Sequence, residues 1–249
     1  MNHELEVVNG VRLLSKRLPF EEVYLKVRER ESRLYTDKEV CGLPDLPKRH
    51  VHAEEWQLRK KSMMRFLNYL GTCSPGRVLD LGCGNGWFSF AMRRKINTEV
   101  VGLDMNTVEL EQAARVFKGA GIHFCYGDVF QDIFPPAYFD VIILNSSIQY
   151  FPDVPALLNR LKYFATPGGE LHVLDSPMYK QTEVDAARER SRKYYENLGV
   201  EAMCERYFCH GLFSFEPYPV EVMYWYGGWR KALRWKDIPF PWLKIRLGE

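Results

Sequence analysis

This 249-residue chain has no long apolar run, no marked excess of one charge and no closely spaced pair of cysteines. No apolar segment reaches the length of a transmembrane helix, and the first residues lack the basic, apolar and small-residue succession of a signal peptide. Lysine and arginine total 34 and aspartate and glutamate 32, so the net charge of +2 does not indicate a polyanionic partner. We therefore expect a cytoplasmic protein without a membrane segment, for which nucleic acid is not the expected partner.

The six cysteines and the basic clusters carry little functional signal. Without an export signal, the cysteines are expected to be reduced thiols. The densest group of possible metal ligands, Cys204, Cys209 and His210, lacks the C-x-x-C pair of a zinc site, so we expect no bound metal. Three basic clusters fall on predicted helices, where a solvated helix face is the expected role: Arg59-Lys60-Lys61, Arg93-Arg94-Lys95 and the run from Arg188 to Lys193.

A glycine-rich loop between a predicted strand and a predicted helix is the most informative segment. The strand covers Arg77 to Leu81, and V-L-D-L-G-C-G-N-G ends at Gly86, directly before an apolar, helix-compatible stretch. Glycine lets the backbone turn tightly and approach a ligand without a Cβ in the way. A helix that begins after such a loop points free N–H groups and its positive dipole end at the same place. The segment therefore predicts a cradle for a small ligand with a negative end.

The spacing of this loop indicates which ligand it binds. Trp87 stands where a longer dinucleotide pattern, G-x-G-x-x-G, requires its third glycine. The pattern D-x-G-x-G-x-G instead resembles the first motif of the class I S-adenosylmethionine-dependent methyltransferases. The resemblance implies a doubly wound, mainly parallel, seven-stranded α/β sheet of the Rossmann-like kind. It also implies that S-adenosylmethionine is bound, and S-adenosylhomocysteine released, at these residues: Asp80, Gly82, Cys83, Gly84, Asn85 and Gly86.

Two further acidic residues follow the next predicted strands. Asp104 ends the run that starts at Glu99 and lies 20 residues after Gly84, where a doubly wound sheet places the acid that binds a ribose. Its carboxylate can accept hydrogen bonds from both ribose hydroxyls, and Met105 follows it. The third predicted strand leads into Asp128 and Val129. The resemblance implies that the acid at position 128 binds the adenine amino group and that the next backbone N–H binds a ring nitrogen.

The fourth predicted strand is a continuous apolar run from Asp140 to Asn145, as expected for a parallel strand buried on both faces. The segment that follows, from Asn145 and Ser146 to Tyr150, resembles the part of small-molecule methyltransferases that passes under the sulfonium centre. It is not the N-P-P-Y type associated with methylation of DNA bases. A fifth strand is predicted over 170–175, so the resemblance covers 77–176.

The flanking regions are expected to choose the acceptor. We predict a helical N-terminal extension over 1–70, a cofactor-binding core over 71–176, and a helical cap segment with the closing strands over 177–249. Helices are predicted from Phe20 to about Tyr35, over 53–70 and over 182–198, and the closing strands near 208–215 and 219–225. Arg59 is a candidate partner for the cofactor carboxylate, because a guanidinium binds a carboxylate bidentately. The aromatic C-terminal part suits a small, partly apolar acceptor.

A general base is needed only if the attacking atom holds its proton tightly. His210 is the preferred candidate and Tyr150 the second, with His172 and Asp175 also considered. The predicted function is methyl transfer from S-adenosylmethionine to a small-molecule metabolite. Three alternatives stay open: an RNA or protein methyltransferase on the same core, a catalytically silent domain that binds the cofactor, and a nicotinamide-dependent oxidoreductase. The sequence does not indicate the oligomeric state.

Overall fold

The structure is a computed structural model that describes residues 6–18, 21–227 and 236–247. Seven α-helices lie in these ranges: α1 Glu21–Arg30, α2 Asp37–Gly42, α3 Ala53–Cys73, α4 Trp87–Lys95, α5 Thr107–Val116, α6 Val154–Phe164 and α7 Val184–Leu198. Nine strands lie in them: β1 Val7–Val8, β2 Val11–Leu13, β3 Arg77–Leu81, β4 Glu99–Asp104, β5 Ile122–Tyr126, β6 Phe139–Asn145, β7 Ala165–Leu174, β8 Val220–Tyr224 and β9 Trp242–Arg246. Short 3₁₀ helices cover 148–150, 181–183, 201–203 and 212–215.

All nine strands form one sheet in the order β1-β2-β5-β4-β3-β6-β7-β9-β8. The strands from β5 to β7 are parallel. β9 runs antiparallel to them, and β8, which is antiparallel to β9, runs in their direction again. The strand order reverses between β3 and β6, and open α/β sheets bind ligands at the carboxyl ends of the strands beside such a reversal. The predicted fold class, a doubly wound and mainly parallel α/β sheet, is confirmed.

The number of strands differs from the expected seven. The two additional strands, β1 and β2, form a hairpin in the N-terminal extension, and β2 pairs in parallel with β5 at the edge of the sheet. Asn9 and Gly10 form the turn, both with positive φ, which is the conformation that two-residue hairpins require. The extension therefore contains strands as well as the predicted helices. Phe20, where the first helix was predicted to begin, lies outside the described residues.

One of the two predicted closing strands is wrong. The segment over 208–215 contains an isolated bridge between Met178 and His210 and then a 3₁₀ helix, in which Phe215 is fully buried against the α6 side of the sheet. The other prediction, near 219–225, corresponds to β8. The second closing strand is β9, which the sequence analysis did not identify. Parts of the predicted cap segment, 228–235 and 248–249, lie outside the described residues.

The sheet separates two apolar layers. Phe66 of α3 and Met92 of α4 are fully buried on one face, and Leu161 and Phe164 of α6 are fully buried on the other. Complete burial of one such side chain stabilises the fold by about 1.5–3 kcal/mol. No helix in the described ranges is long and apolar enough to span a bilayer. In the same ranges, no group of three or more His, Cys, Asp or Glu side chains is arranged to hold a metal ion.

The N-terminal extension crosses the carboxyl ends of the central strands. Val27 of α1 packs in a small apolar cluster with Tyr195 and Met203. The carboxylate of Glu21 accepts a hydrogen bond from the backbone N–H of Val108 at 3.0 Å, at the start of α5. α1 therefore connects the segment after β7 with α5 and lies above the edge at which the glycine loop emerges.

Replacement of Gly86 by alanine tests the close packing of this loop. Gly86 has a φ of +73°, and a Cβ there would lie 2.5 Å from Cε1 of Phe124 and 2.9 Å from Cβ of Ala113. We expect Gly86→Ala to lower the free energy of unfolding by about 3–5 kcal/mol, because overpacking adds to the backbone strain. Chemical denaturation measures this loss.

Gly119→Ala is the matched control. Gly119 also has a positive φ, +81°, but a Cβ there would have no atom within 4 Å. Only the backbone strain remains, so we expect a loss of about 1–2 kcal/mol. Equal losses in the two variants would contradict the role of close packing at Gly86.

Candidate active site

The glycine loop begins where β3 ends and is pressed against its neighbours. A side chain at Gly82 would overlap Ser147, which follows β6. The backbone N–H of Gly82 donates to the carbonyl of Leu103 at 2.8 Å, and that of Gly84 donates to Oδ2 of Asp104 at the same distance. The loop is therefore fixed against the ends of β4 and β6. Gly86 caps the start of α4.

Two cavities open on this loop. The narrow cavity has a volume of about 100 Å³ and the wide cavity one of about 570 Å³. Four residues line both of them and therefore mark their junction: Tyr24, Gly82, Ser146 and Tyr150. The junction joins α1, the glycine loop and the segment after β6. An elongated ligand can extend through it from one cavity to the other.

The narrow cavity has core residues on one side and N-terminal residues on the other. The predicted site residues that line it are Asp80, Gly82, Cys83, Gly84, Asn85, Asn145, Ser146 and Arg59. The sequence analysis did not identify two arginines that also line it, Arg28 and Arg33. Both fall in or next to the predicted first helix, and no spacing pattern distinguished them from surface arginines.

Two buried oxygens in the narrow cavity accept no hydrogen bond from the described residues, Oδ1 of Asp80 and Oδ1 of Asn145. The other carboxylate oxygen of Asp80 accepts a hydrogen bond from Oγ of Ser89 at 2.6 Å. Burial raises the pKa of Asp80 to about 7, because the charged form is poorly solvated. A buried polar atom without a partner is costly, so these oxygens suit a ligand that donates hydrogen bonds.

Arg59 of α3 reaches the junction. Its Nη2 donates to Oγ of Ser146 at 3.3 Å, and its Nε donates to the carboxylate of Glu55 at 2.9 Å. The guanidinium carbon lies 5.5 Å from the ring centroid of Trp56. Glu55 also accepts two hydrogen bonds from Arg33, at 3.0 and 2.6 Å. Together, these contacts hold two guanidinium groups at the edge of the narrow cavity.

Arg28 pairs with a carboxylate of α5. Its Nη2 lies 3.1 Å from Oε1 of Glu109, while its buried Nε has no hydrogen-bond partner among the described residues. Glu109 is buried, and its other oxygen accepts a hydrogen bond from the side chain of Asn106 at 3.2 Å. This ion pair links α1 to α5 across the narrow cavity.

The wide cavity contains four further predicted cofactor residues, Asp104, Met105, Asp128 and Val129, whereas Gly86 lines neither cavity. Asp104 accepts hydrogen bonds from the backbone N–H groups of Met105 at 2.7 Å and Asn106 at 2.9 Å. Burial, with a contribution from nearby Glu109, raises the pKa of Asp104 to about 6. Arg160 of α6 supports the loop after β5, because its Nε donates to the carbonyl of Val129 at 3.0 Å.

Tyr150 is the predicted catalytic candidate that the structure brings to the junction. Its ring centroid lies 5.7 Å from that of Tyr24, with the rings edge to face, and 6.2 Å from that of Tyr207. Burial raises the pKa of Tyr150 to about 12. At neutral pH the side chain is therefore a phenol that can donate a hydrogen bond, and it is not a ready proton acceptor.

The other candidate bases line neither cavity. His210 is buried, its Nε2 is 3.0 Å from the carbonyl oxygen of Phe151, and it lines neither cavity. Burial lowers its pKa. His172 is buried within β7, where its Nδ1 accepts a hydrogen bond from Trp242 at 3.0 Å. Asp175 is buried beside Arg59, with 4.0 Å between Oδ2 and Nη1. A base role for His210 stays a prediction that these positions do not support.

Comparisons with known proteins agree with this geometry. A family model described as a methyltransferase domain matches residues 74–235. An uncharacterized methyltransferase of Mycobacterium tuberculosis is 33% identical over 97 residues, which cover 39% of this chain and 49% of that protein. A 2-phytyl-1,4-naphtoquinone methyltransferase of Synechococcus elongatus is 30% identical over 119 residues, or 43% of this chain and 51% of that protein. The chain thus spans about half the length of these relatives.

A solved structure of geranyl diphosphate methyltransferase in complex with S-adenosylmethionine has a similar fold. The TM-score is 0.57 at 14% identity, with 84% of this chain and 93% of the other covered. The likeness at this identity concerns the fold alone. Because the family model covers more than half of the chain, and the sheet order and glycine loop agree with it, this chain belongs to the class I S-adenosylmethionine-dependent methyltransferase family.

Proposed function

We propose that this protein transfers a methyl group from S-adenosylmethionine to a small molecule. The observation that carries the proposal is the pair of cavities joined at Tyr24, Gly82, Ser146 and Tyr150. One cavity is small and lined by charged groups, and the other is larger and mainly apolar apart from its carboxylates. This division suits a ligand with an amino-acid end and a nucleoside end.

The narrow cavity fits the methionine end of the cofactor. The unpartnered oxygens of Asp80 and Asn145 suit its ammonium group, and the guanidinium of Arg59 suits its carboxylate. Side chains at Gly82 or Gly86 would overlap Ser147 or Phe124, so the bare backbone of the loop is needed for its close packing against these neighbours.

The wide cavity fits the adenosine end. Asp104 already accepts three backbone N–H hydrogen bonds, and a carboxylate has about four acceptor positions, so it can also accept from a ribose hydroxyl. Asp128 and Val129 stand at the carboxyl end of β5 and suit the adenine edge. Arg160 acts as a positioning residue for that loop through the carbonyl of Val129.

When bound, S-adenosylmethionine supplies a methyl group that is already electrophilic. The chain's own task is therefore to position the acceptor and exclude water. Tyr24 and Tyr150 line the junction and can orient an acceptor through their hydroxyl groups. α1 and residues 205–208 border the space above it, which favours a small acceptor over a polymer. The 2-phytyl-1,4-naphtoquinone methyltransferase and the geranyl diphosphate methyltransferase are named for different molecules, so they do not identify the acceptor.

Calorimetry and a labelling experiment test the proposal. We expect binding heat with S-adenosylmethionine and S-adenosylhomocysteine and none with NAD. With labelled methyl donor and fractionated cell extract, the label should enter the small-molecule fraction. Label in RNase-sensitive or protease-sensitive material would instead support a macromolecular acceptor. Cofactor binding without label in any fraction would indicate a silent domain, and absence of binding would overturn the proposal.

Arg59→Ala is expected to weaken binding of S-adenosylhomocysteine by about 1.5–3 kcal/mol, because a charge-assisted contact with its carboxylate is lost. Isothermal titration calorimetry measures the change. Lys60→Ala is the matched control, since Lys60 is the next residue of α3 and points to Asp45, with its Nζ 2.7 Å from Oδ1. Unchanged affinity in Arg59→Ala would remove this residue from the site.

Cofactor affinity is expected to rise with pH between 6 and 8. The pKa of Asp80 is raised to about 7 in the free protein, and a bound ammonium group favours the ionised carboxylate and lowers that pKa. Binding below pH 7 therefore releases a proton and becomes weaker by up to about tenfold per pH unit. Affinity measured at pH 6, 7 and 8 tests this.

Asp80→Asn is the control for the pH dependence. This variant cannot ionise at position 80, so it should bind more weakly at pH 8 than the unmodified protein and lose most of the change between pH 6 and 7. Asp104, with a pKa of about 6, accounts for any remaining dependence at lower pH. A flat affinity in the unmodified protein would contradict the contact between Asp80 and the ammonium group.

A further inference from the structure

The wall of the wide cavity is acidic. Besides Asp104 and Asp128, which suit the nucleoside, it carries the carboxylates of Glu21 and Glu205. Arg206 supplies the one guanidinium group on this wall within the described ranges. With Asp104 and Asp128 facing the nucleoside, Glu21 and Glu205 against Arg206 leave a negative balance that disfavours anionic acceptors and favours cationic ones. Chemical complementarity therefore favours an acceptor without carboxylate or phosphate groups.

Aromatic rings form much of the remaining wall. Tyr24 and Tyr150 stand edge to face at the junction, and Phe151 and Phe208 border the wide cavity beyond them. Burial raises the pKa of both tyrosines, so both rings carry neutral phenols at pH 7. Neutral aromatic faces attract ammonium groups and also pack against apolar bodies.

The wide cavity offers no strong base. No histidine, lysine or cysteine belongs to its wall in the part of the chain that the structure describes. Asp104 is engaged by three backbone N–H groups, and Glu21 accepts hydrogen bonds from the start of α5. A carboxylate of ordinary pKa is a weaker general base toward a hydroxyl group than a histidine or a lysine would be. An ammonium group loses its proton to water far more readily than a hydroxyl group does, and the neutral amine then attacks with a free lone pair.

We propose, on the basis of the function proposed above, that the acceptor is a small amine with an apolar body, methylated on nitrogen. The ammonium form enters and releases one proton to water at the mouth, where Glu205 is exposed. The nitrogen lone pair then forms the N–CH₃ bond while the S–CH₃ bond breaks and its electron pair stays on sulfur. The positive charge passes from sulfur to nitrogen and remains near the carboxylates and aromatic faces.

Three probes of similar size and different charge test this inference: benzylamine, benzyl alcohol and benzoate. Each is titrated at pH 7.5 into protein saturated with S-adenosylhomocysteine, whose own binding is measured first. We expect benzylamine to bind at least about tenfold more tightly than benzoate and to weaken as salt is added. N-methylbenzylamine should form when S-adenosylmethionine replaces the product, and mass spectrometry detects it.

A pair of variants locates the effect. Glu205→Gln should weaken benzylamine binding by about threefold or more and leave benzyl alcohol unchanged, since one exposed carboxylate is removed. Glu201→Gln, four residues earlier and outside both cavity walls, should change neither. Benzoate binding as tightly as benzylamine, no binding of any probe, or equal effects of the two variants would overturn the amine assignment. If S-adenosylhomocysteine still binds in those cases, the proposed cofactor site remains supported and only the amine assignment fails.

Discussion

The carboxylate of Asp104 is the contact on which the arrangement of the site depends. It accepts hydrogen bonds from the backbone N–H groups of Gly84, Met105 and Asn106, and so fixes the glycine loop relative to the start of α5. Burial disfavours the charged form, and these hydrogen bonds offset part of that cost. Because the loop borders both cavities, and the residues after β4 border the wide one, displacement of this side chain would change the shape of the whole site.

The N-terminal extension supplies the cationic side chains that the sheet does not contribute to the narrow cavity. The parallel strands supply carboxylates and bare backbone at their carboxyl ends, whereas the guanidinium groups of the narrow cavity come from Arg28, Arg33 and Arg59. Glu55 accepts from two of these, and Glu109 pairs with the third across the cavity. The charges of the site are thus balanced between segments that are far apart in the chain, and the core without its extension would lack the cationic side.

Local patterns explain which parts of the fold were predictable. Periodicity and turn residues predicted the glycine loop, the strands that lead to Asp104 and Asn145, and the helices over 53–70 and 182–198. The structure has the predicted type of element at each of these positions. The sequence analysis did not predict the hairpin around Asn9-Gly10. Its strands have only two and three residues, which is too short to show an alternation of apolar and polar side chains. β9 is harder to predict because it contains Lys244, a residue type that is usually exposed to solvent. In the structure Lys244 is buried, and its Nζ lies 2.7 Å from Oε2 of Glu221.

The acid and the glycines of D-x-G-x-G-x-G predict the type of cradle from the sequence alone, because tight turns and strand ends depend on neighbours in the chain. Contacts between distant segments decide the rest. Arg28 faces Glu109, Tyr24 meets Tyr150 and Arg59 reaches Ser146 only after α1 and α3 have packed over the sheet. The same packing leaves His210 bonded to the carbonyl of Phe151, behind the wall of the wide cavity and outside the lining of both cavities. Such pairings depend on three-dimensional packing, which no spacing along the chain records.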